Sequence, residues 1–355
     1  MKNLPPRSSA PSPAGKFRKL LPRLLRLTIS LLVIAAVAFA FRGSLAAWRD
    51  QSDAERITLA DIRWGWLVVA ALTYTLSLLP SGIVLRLALS ALHHPVSNRL
   101  VMAAQLVGHL GKYVPGKAMV IILRASILNR GATKISVKLS AIAVIIETLH
   151  LIAVGATLGL LLVMILDAPA ALRWTSAVMA LGAVVASLPP VLRLVLARKL
   201  QSGGDDEPPR KRGITARLIR PVQLDWTLDH LIASWFWCAL SWLFTGLSMT
   251  AVVLAIIPDS GSIPPLSLVL ICSAATMLAF VAGFASLLPG GAGVREMVLA
   301  TLLDPTFGAG PALLAAIVSR LVQLAVEVTL AAGIWATLLR AAPALPPPAD
   351  EPAAD

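Results

Sequence analysis

Acidic side chains are scarce in this chain. Its 355 residues hold 18 Asp and Glu against 31 Lys and Arg, and charged residues of both signs reach only 14%. A soluble domain carries about 25%, so a water-facing surface is excluded along most of the length. Cysteine is rarer: Cys238 and Cys272 stand alone, each inside an apolar run. A disulfide framework and a thiolate metal site are thereby excluded, leaving two buried free thiols. Among five histidines, the adjacent His93 and His94 cannot share a helical face. No metal and no cofactor is expected.

Nucleotide signatures are missing as well. Gly111-x-x-x-x-Gly116-Lys117 copies a phosphate-binding loop up to its last position, but Ala118 stands where a Ser or Thr would hold Mg²⁺. No strand precedes it. Gly203-Gly204-Asp205-Asp206 has the composition of a linker and lacks a globular domain around it.

What the chain has in abundance is apolar length. Hydrophobic residues make up 57% and the mean hydropathy is +0.80. Several runs exceed the ~18–20 residues that cross a bilayer. The fold class is therefore an all-α polytopic membrane protein. The net charge of +13 sets topology and faces anionic lipid, and a nucleic-acid partner is not expected.

In order along the chain, residues 1–23 form a basic, Pro/Ser-rich leader, expected to be disordered and cytoplasmic. A membrane domain covers 24–340. Its first helix, about 24–41, is read as uncleaved, although Ala38-Phe39-Ala40 imitates a signal-peptide end. Further spans are expected at 64–85, 139–166, 174–196, 229–257 and 311–340, with a polar cytoplasmic loop at 197–227. Residues 341–355 are Pro/Ala-rich and expected to be disordered. Gly155-x-x-x-Gly159 is a helix-packing pattern.

Two apolar segments are interrupted. Segment 99–128 contains Gly108-His109-Leu110-Gly111-Lys112-Tyr113-Val114-Pro115-Gly116-Lys117, and segment 265–303 contains Leu288-Pro289-Gly290-Gly291-Ala292-Gly293-Val294-Arg295-Glu296. Charge decides how the first is read. Residues 1–27 and 197–227 each hold seven Lys and Arg. A straight crossing at 99–128 would put these two basic regions on opposite sides, against the positive-inside rule. A dip that returns to its own side gathers twenty Lys and Arg inside against five outside. Reading the second break in the same way gives about six spanning helices plus two re-entrant or broken helices, arranged as an inverted repeat. The arm 265–288 is long enough to cross outright, which leaves a full span open there.

Paired breaks in the two halves of a membrane protein point to a transport site. Irregular backbone at membrane depth must be buried in protein or line a watery cavity. A half-helix that starts after Pro-Gly presents free N–H groups and a positive dipole end, which favour an anion such as phosphate. Gly116, Gly290, Gly291 and Gly293 would let a lipid head group approach the backbone, and Lys117, Arg124 and Arg295 would add positive charge. Glu147, Glu327 and Arg320 are read as counter-charges or a proton relay. Plainer assignments stand beside these: Lys112 snorkelling, Glu296 favouring a helix start, and the pairs Arg320 with Glu327 and Glu147 with His150 as structural partners on one helical face.

These interrupted segments resemble two motifs of the lysylphosphatidylglycerol synthase transmembrane-region family, also called the flippase-like domain family. The resemblance covers roughly 25–340. It implies a module that moves a lipid between leaflets. Bifunctional members follow that module with a soluble domain that transfers lysine from lysyl-tRNA to phosphatidylglycerol. This chain stops about fifteen residues after its last span, so the expectation is the membrane module alone and no enzyme activity. The resemblance also implies an anionic phospholipid or polyprenyl-phosphate lipid as partner, a lipid-modifying enzyme as a further partner class, and a multi-pass place in the plasma or inner membrane. A membrane-embedded transferase, or an accessory subunit of lipid or glycan assembly, is the alternative reading.

Overall fold

The computed structural model describes residues 61–113, 118–130, 135–194, 224–286 and 288–340. The leader 1–23, the helix at 24–41, most of the loop 197–227, the tail 341–355, and Gly116 and Lys117 lie outside the described residues. In chain order the long elements are α1 Trp64–Ala91, α2 Asn98–Gly108, α3 Ala118–Leu128, α4 Val137–Ile165 and α5 Ala170–Ser187. They are followed by α6 Leu228–Ile256, α7 Pro265–Ala285, α8 Val294–Phe307 and α9 Ala309–Arg340. Six of the described helices (α1, α4, α5, α6, α7 and α9) are long and apolar enough to cross a membrane. The all-α polytopic class read from composition holds.

The first break differs from the second in a way that length explains. Helices α2 and α3 have 11 residues each, about 16 Å apiece at 1.5 Å per residue, roughly half of a ~30 Å hydrocarbon core. They pack on each other, which is the geometry of a hairpin that stops at mid-depth. Helix α7 has 21 residues and reaches about 31 Å, so the arm read as half of a second hairpin is long enough to span. Nothing interrupts it: Pro265 sits in the first turn, where its missing N–H costs nothing. Only α8, with 14 residues, is short on that side.

Helices α1 and α6 form the central contact of the bundle. Small polar residues bring their backbones close, with Ser241 Oγ donating to Ser77 O at 2.7 Å and Ser248 Oγ to Ala70 O at 2.8 Å. The first of these bonds lies beside Pro80, which α1 carries in its interior. The Gly155/Gly159 pattern serves the same end. A Cβ on Gly155 would lie 2.5 Å from the Trp242 ring and one on Gly159 3.0 Å from Leu278, so α4 admits α6 and α7 there. Trp242 Nε1 donates to Leu151 O at 2.9 Å across that contact.

The packing has a regular plan. If α1-α2-α3-α4 and α6-α7-α8-α9 are taken as two units, each principal helix contact in one unit, or between the units, has its counterpart when the units are exchanged. Thus α2 packs on α9 as α7 packs on α4, and α4 on α6 as α9 on α1. Helix α5 lies outside the plan and packs chiefly on α4. Two hydrophobic clusters largely follow the division, with Ala331 joining the first and Ala70 the second from the other unit. One joins Leu85, Leu89, Ile127, Leu128 and Ile146, and the other joins Ile256, Leu268, Leu299, Leu303 and Ala315.

The segment entering α6 is pinned to the end of α1. Asp225 N donates to Ala91 O at 2.9 Å, and His93 Nε2 lies 2.9 Å from Asp225 Oδ2. Trp226 is fully buried between the rings of His150 and His230, at 4.9 and 5.3 Å between centroids. His150 is thereby engaged with Trp226, and its Nδ1 meets Ile146 O at 2.7 Å. The partnership of Glu147 with His150 read from their spacing is not formed. Cys238 and Cys272 are free and buried, as composition indicated.

Candidate functional site

The two breaks meet. A Cβ added to Gly290 would lie 3.4 Å from the Lys112 carbonyl oxygen and 2.6 Å from Arg320 Nη2. The turn His109–Tyr113 that ends α2 therefore touches the turn Pro289–Gly291, with the Arg320 guanidinium at the junction. The glycines of the second break have a stronger reason to be glycine than head-group access. Gly290, Gly291 and Gly293 have φ of 59°, 66° and 83°, a region where a side chain is strained. Gly291 also faces the backbone, since a Cβ there would stand 2.8 Å from Gly283 Cα.

Charged and polar groups converge on this junction from four elements. The Lys112 ammonium, on the first break, is ion-paired with Glu327 Oε1 of α9. The Tyr74 hydroxyl of α1 donates to the same oxygen. Glu327 Oε2 is buried and has no hydrogen-bond partner. Arg320, two turns earlier on α9, lies 5.1 Å over the Tyr113 ring. Its Nε is 3.6 Å from Glu296 Oε1, while its Nη1 is buried and unpartnered. Arg320 and Glu327, read as partners seven positions apart, are thus bound to other groups.

Arg295 is only 5% exposed. Its Nη2 donates to Gln323 Oε1 at 2.6 Å, and its guanidinium lies 3.3 Å above the Phe280 ring. These are neutral partners. Among the described residues no carboxylate is within ion-pair distance of Arg295. The junction therefore holds three cations, Lys112, Arg295 and Arg320, against two carboxylates, Glu296 and Glu327. It sits deep: Tyr74 is the eleventh residue of α1, about 15 Å from its start.

Glu296 does two things there. Its Oε2 accepts the Gly293 N–H at 2.7 Å, closing the start of α8, while Oε1 faces Arg320. One of the N–H groups that a half-helix would offer to an anion is therefore already taken by this carboxylate.

A second polar cluster lies within the first unit. Arg124 of α3 is ion-paired with Glu147 of α4, and each side chain is 5% exposed. Gln105 Nε2 donates to Glu147 Oε1 at 2.6 Å and to Ser81 Oγ at 2.8 Å. Gly108 makes room for this pair, since a Cβ there would be 2.5 Å from Arg124 Cγ. Arg124, read as a lipid contact, spends its charge on Glu147.

The residues that the sequence reading singled out thus fall into two clusters. Arg295, Arg320, Glu327 and Gly290 come together at the junction, Arg124 and Glu147 form the inner pair, and Gly116 and Lys117 are not described. Tyr74, Tyr113, Gln323 and Phe280 were missed, and Lys112 was read only as a snorkelling side chain. One signal pointed to two of them: the chain has only 2 tyrosines, and both stand at the junction.

A model of the lysylphosphatidylglycerol synthase transmembrane region matches residues 23–331. The chain belongs to that family. No curated protein matches it. The matched range takes in both breaks, the junction and the Arg124–Glu147 pair. Together with the six apolar helices, it makes the chain a multi-pass membrane protein. Among the described residues, no group of three or more His, Cys, Asp or Glu is placed to hold a metal ion.

Proposed function

We propose that this family module moves an anionic lipid, a phospholipid or polyprenyl-phosphate lipid, between the leaflets of a cell membrane, with its N-terminus cytoplasmic. The carrying observation is the excess of buried positive charge where the breaks meet: Lys112, Arg295 and Arg320 against Glu296 and Glu327. A cation at bilayer depth costs at least ~2.5–3.5 kcal/mol on insertion scales. A cation held only by neutral groups there favours an anion as its missing partner, and a phosphate head group is one a membrane supplies.

The exchangeable plan of the two units supports alternating access, in which matching halves rock about a site between them. That the junction is built from both units, Lys112 and Tyr74 from one and Arg295, Arg320 and Glu327 from the other, is what such a mechanism requires. The test is transport. Purified protein in phosphatidylcholine vesicles should accelerate the crossing of a fluorescent anionic phospholipid. The double variant Arg295→Ala, Arg320→Ala should abolish the acceleration, and undiminished crossing by that variant would remove the junction as the site.

A further inference from the structure

Two buried carboxylates, Glu147 and Glu327, each hold a cation delivered by the first hairpin, yet the two pairs are built differently. Arg124 and Glu147 sit on adjacent helices of one unit, each 5% exposed, with Nη1 and Nη2 of the guanidinium on the two carboxylate oxygens and Gln105 on Oε1, while Arg124 Nε has no hydrogen-bond partner. Lys112 and Glu327 belong to different units, and the lysine side chain is 21% exposed while the carboxylate is 0%. One oxygen of Glu327 takes both Lys112 and Tyr74, and the other has no partner. Lys112 is thus the one of these two ion-paired cations that a ligand can reach, and it is the cation bonded to Glu327.

We infer that Glu327 is a proton-binding site coupled to the lipid. This rests on the transport reading above. An anionic head group entering the junction takes the Lys112 ammonium for itself. Glu327 is then left buried with no cation bonded to it, keeping the Tyr74 hydroxyl on Oε1, and a buried carboxylate that has lost its ion-pair partner tends to neutralise instead of staying charged. It takes one proton from water: the carboxylate and a hydronium ion become a carboxylic acid and a water molecule. Lys112 stays charged throughout. When the lipid leaves, Lys112 returns to Glu327 and the proton is released.

The groups facing Glu327 fit this exchange. Tyr74 from α1 and His109, Lys112 and Tyr113 from the first break surround it, with Arg295 and Glu296 on α8 and Arg320 on its own helix. The buried face of α6 brings no charged side chain, and Gln105 is the polar residue that α2 buries. Arg320 is directed at Glu296 and Arg295 at Gln323, so neither replaces Lys112 once it leaves. Glu147 keeps Arg124 throughout. One lipid anion moves with one proton, and no net charge crosses the membrane.

The probe is short-chain phosphatidylglycerol, whose phosphodiester does not titrate near neutral pH. It is added to the solubilised full chain in buffers of different ionisation enthalpy. Wild type should take up about one proton per lipid bound, and an infrared difference spectrum should gain the carbonyl stretch of a protonated carboxyl group. Glu327→Gln should bind the lipid with no proton uptake and no such band, whereas Glu147→Gln should keep the band. Lipid binding by wild type with no proton uptake would overturn the inference and leave the transport reading standing. Loss of the band in Glu147→Gln in place of Glu327→Gln would also overturn it. Absence of lipid binding and lipid crossing in wild type would instead remove the transport reading, and the coupling with it. In vesicles, wild-type crossing should be insensitive to membrane potential and should respond to a pH gradient. Crossing that follows the potential and ignores the gradient would count against the coupling.

Discussion

Lys112 and Glu327 are 215 positions apart in sequence, and their ion pair joins the first break to the last helix of the other unit. It is the contact that turns two separate interruptions into one polar site. Its consequences, and those of the packing around it, can be measured.

Arg295→Lys keeps the charge and loses the flat guanidinium that stacks on Phe280 and reaches Gln323. Arginine and lysine are not equivalent at a stacked site, and a hydrogen bond to a charged group contributes about 1.5–3 kcal/mol. Lipid crossing in vesicles should fall by roughly 10-fold or more, with Arg295→Ala lower still. Crossing by Arg295→Lys at the wild-type rate would show that only charge matters there.

The Arg124–Glu147 pair predicts a stability effect. Glu147→Ala leaves a buried guanidinium without its counter-charge, which costs about 3–5 kcal/mol when one partner of a buried pair is removed. The double variant Arg124→Ala, Glu147→Ala should recover much of that loss. A double-mutant cycle on unfolding in detergent checks it, and additive losses would mean the pair is not coupled.

Two of the three glycines of the second break should rank in a definite order. Gly291→Ala combines a strained φ with a Cβ 2.8 Å from Gly283 Cα, while a Cβ on Gly293 meets nothing within 4 Å. Gly293→Ala should cost only the backbone strain of its φ 83°, ψ −55° conformation, about 1–3 kcal/mol. Gly291→Ala should cost more, seen as a lower melting temperature in the same detergent.

Packing on α4 can be probed against a neutral control. Gly155→Val places a branched side chain against the Trp242 ring, whereas Gly182→Val on α5 enters open space. The first should lower thermal stability by several degrees, in line with the overpacking cost of about 1–3 kcal/mol. The second should leave the melting temperature near that of wild type.

Much of this protein is written locally. Apolar runs of spanning length give the all-α membrane class, because a bilayer leaves a chain no other way to satisfy its backbone except a closed barrel. Glycine and proline inside such a run mark where a helix must stop, so both breaks were legible at 108–117 and 288–296. The half-length of α2 and α3 follows from the first of them. The full length of α7 is legible too, and only reading the second break in the same way as the first had turned it into a hairpin arm.

What sequence could not decide was which charge meets which. Spacing on one helix offered Arg320 to Glu327 and Glu147 to His150, since periodicity reports the faces of a single helix. The actual partners, Glu296, Lys112 and Arg124, come from other elements. Buried ions are costly enough that each is drawn to the best partner in space, and which partner is nearest depends on how the helices pack. Composition and breaks determined that a polar site lies inside a membrane. Only the tertiary structure decided that it is made by both units, with Lys112 and Glu327 as its closing pair.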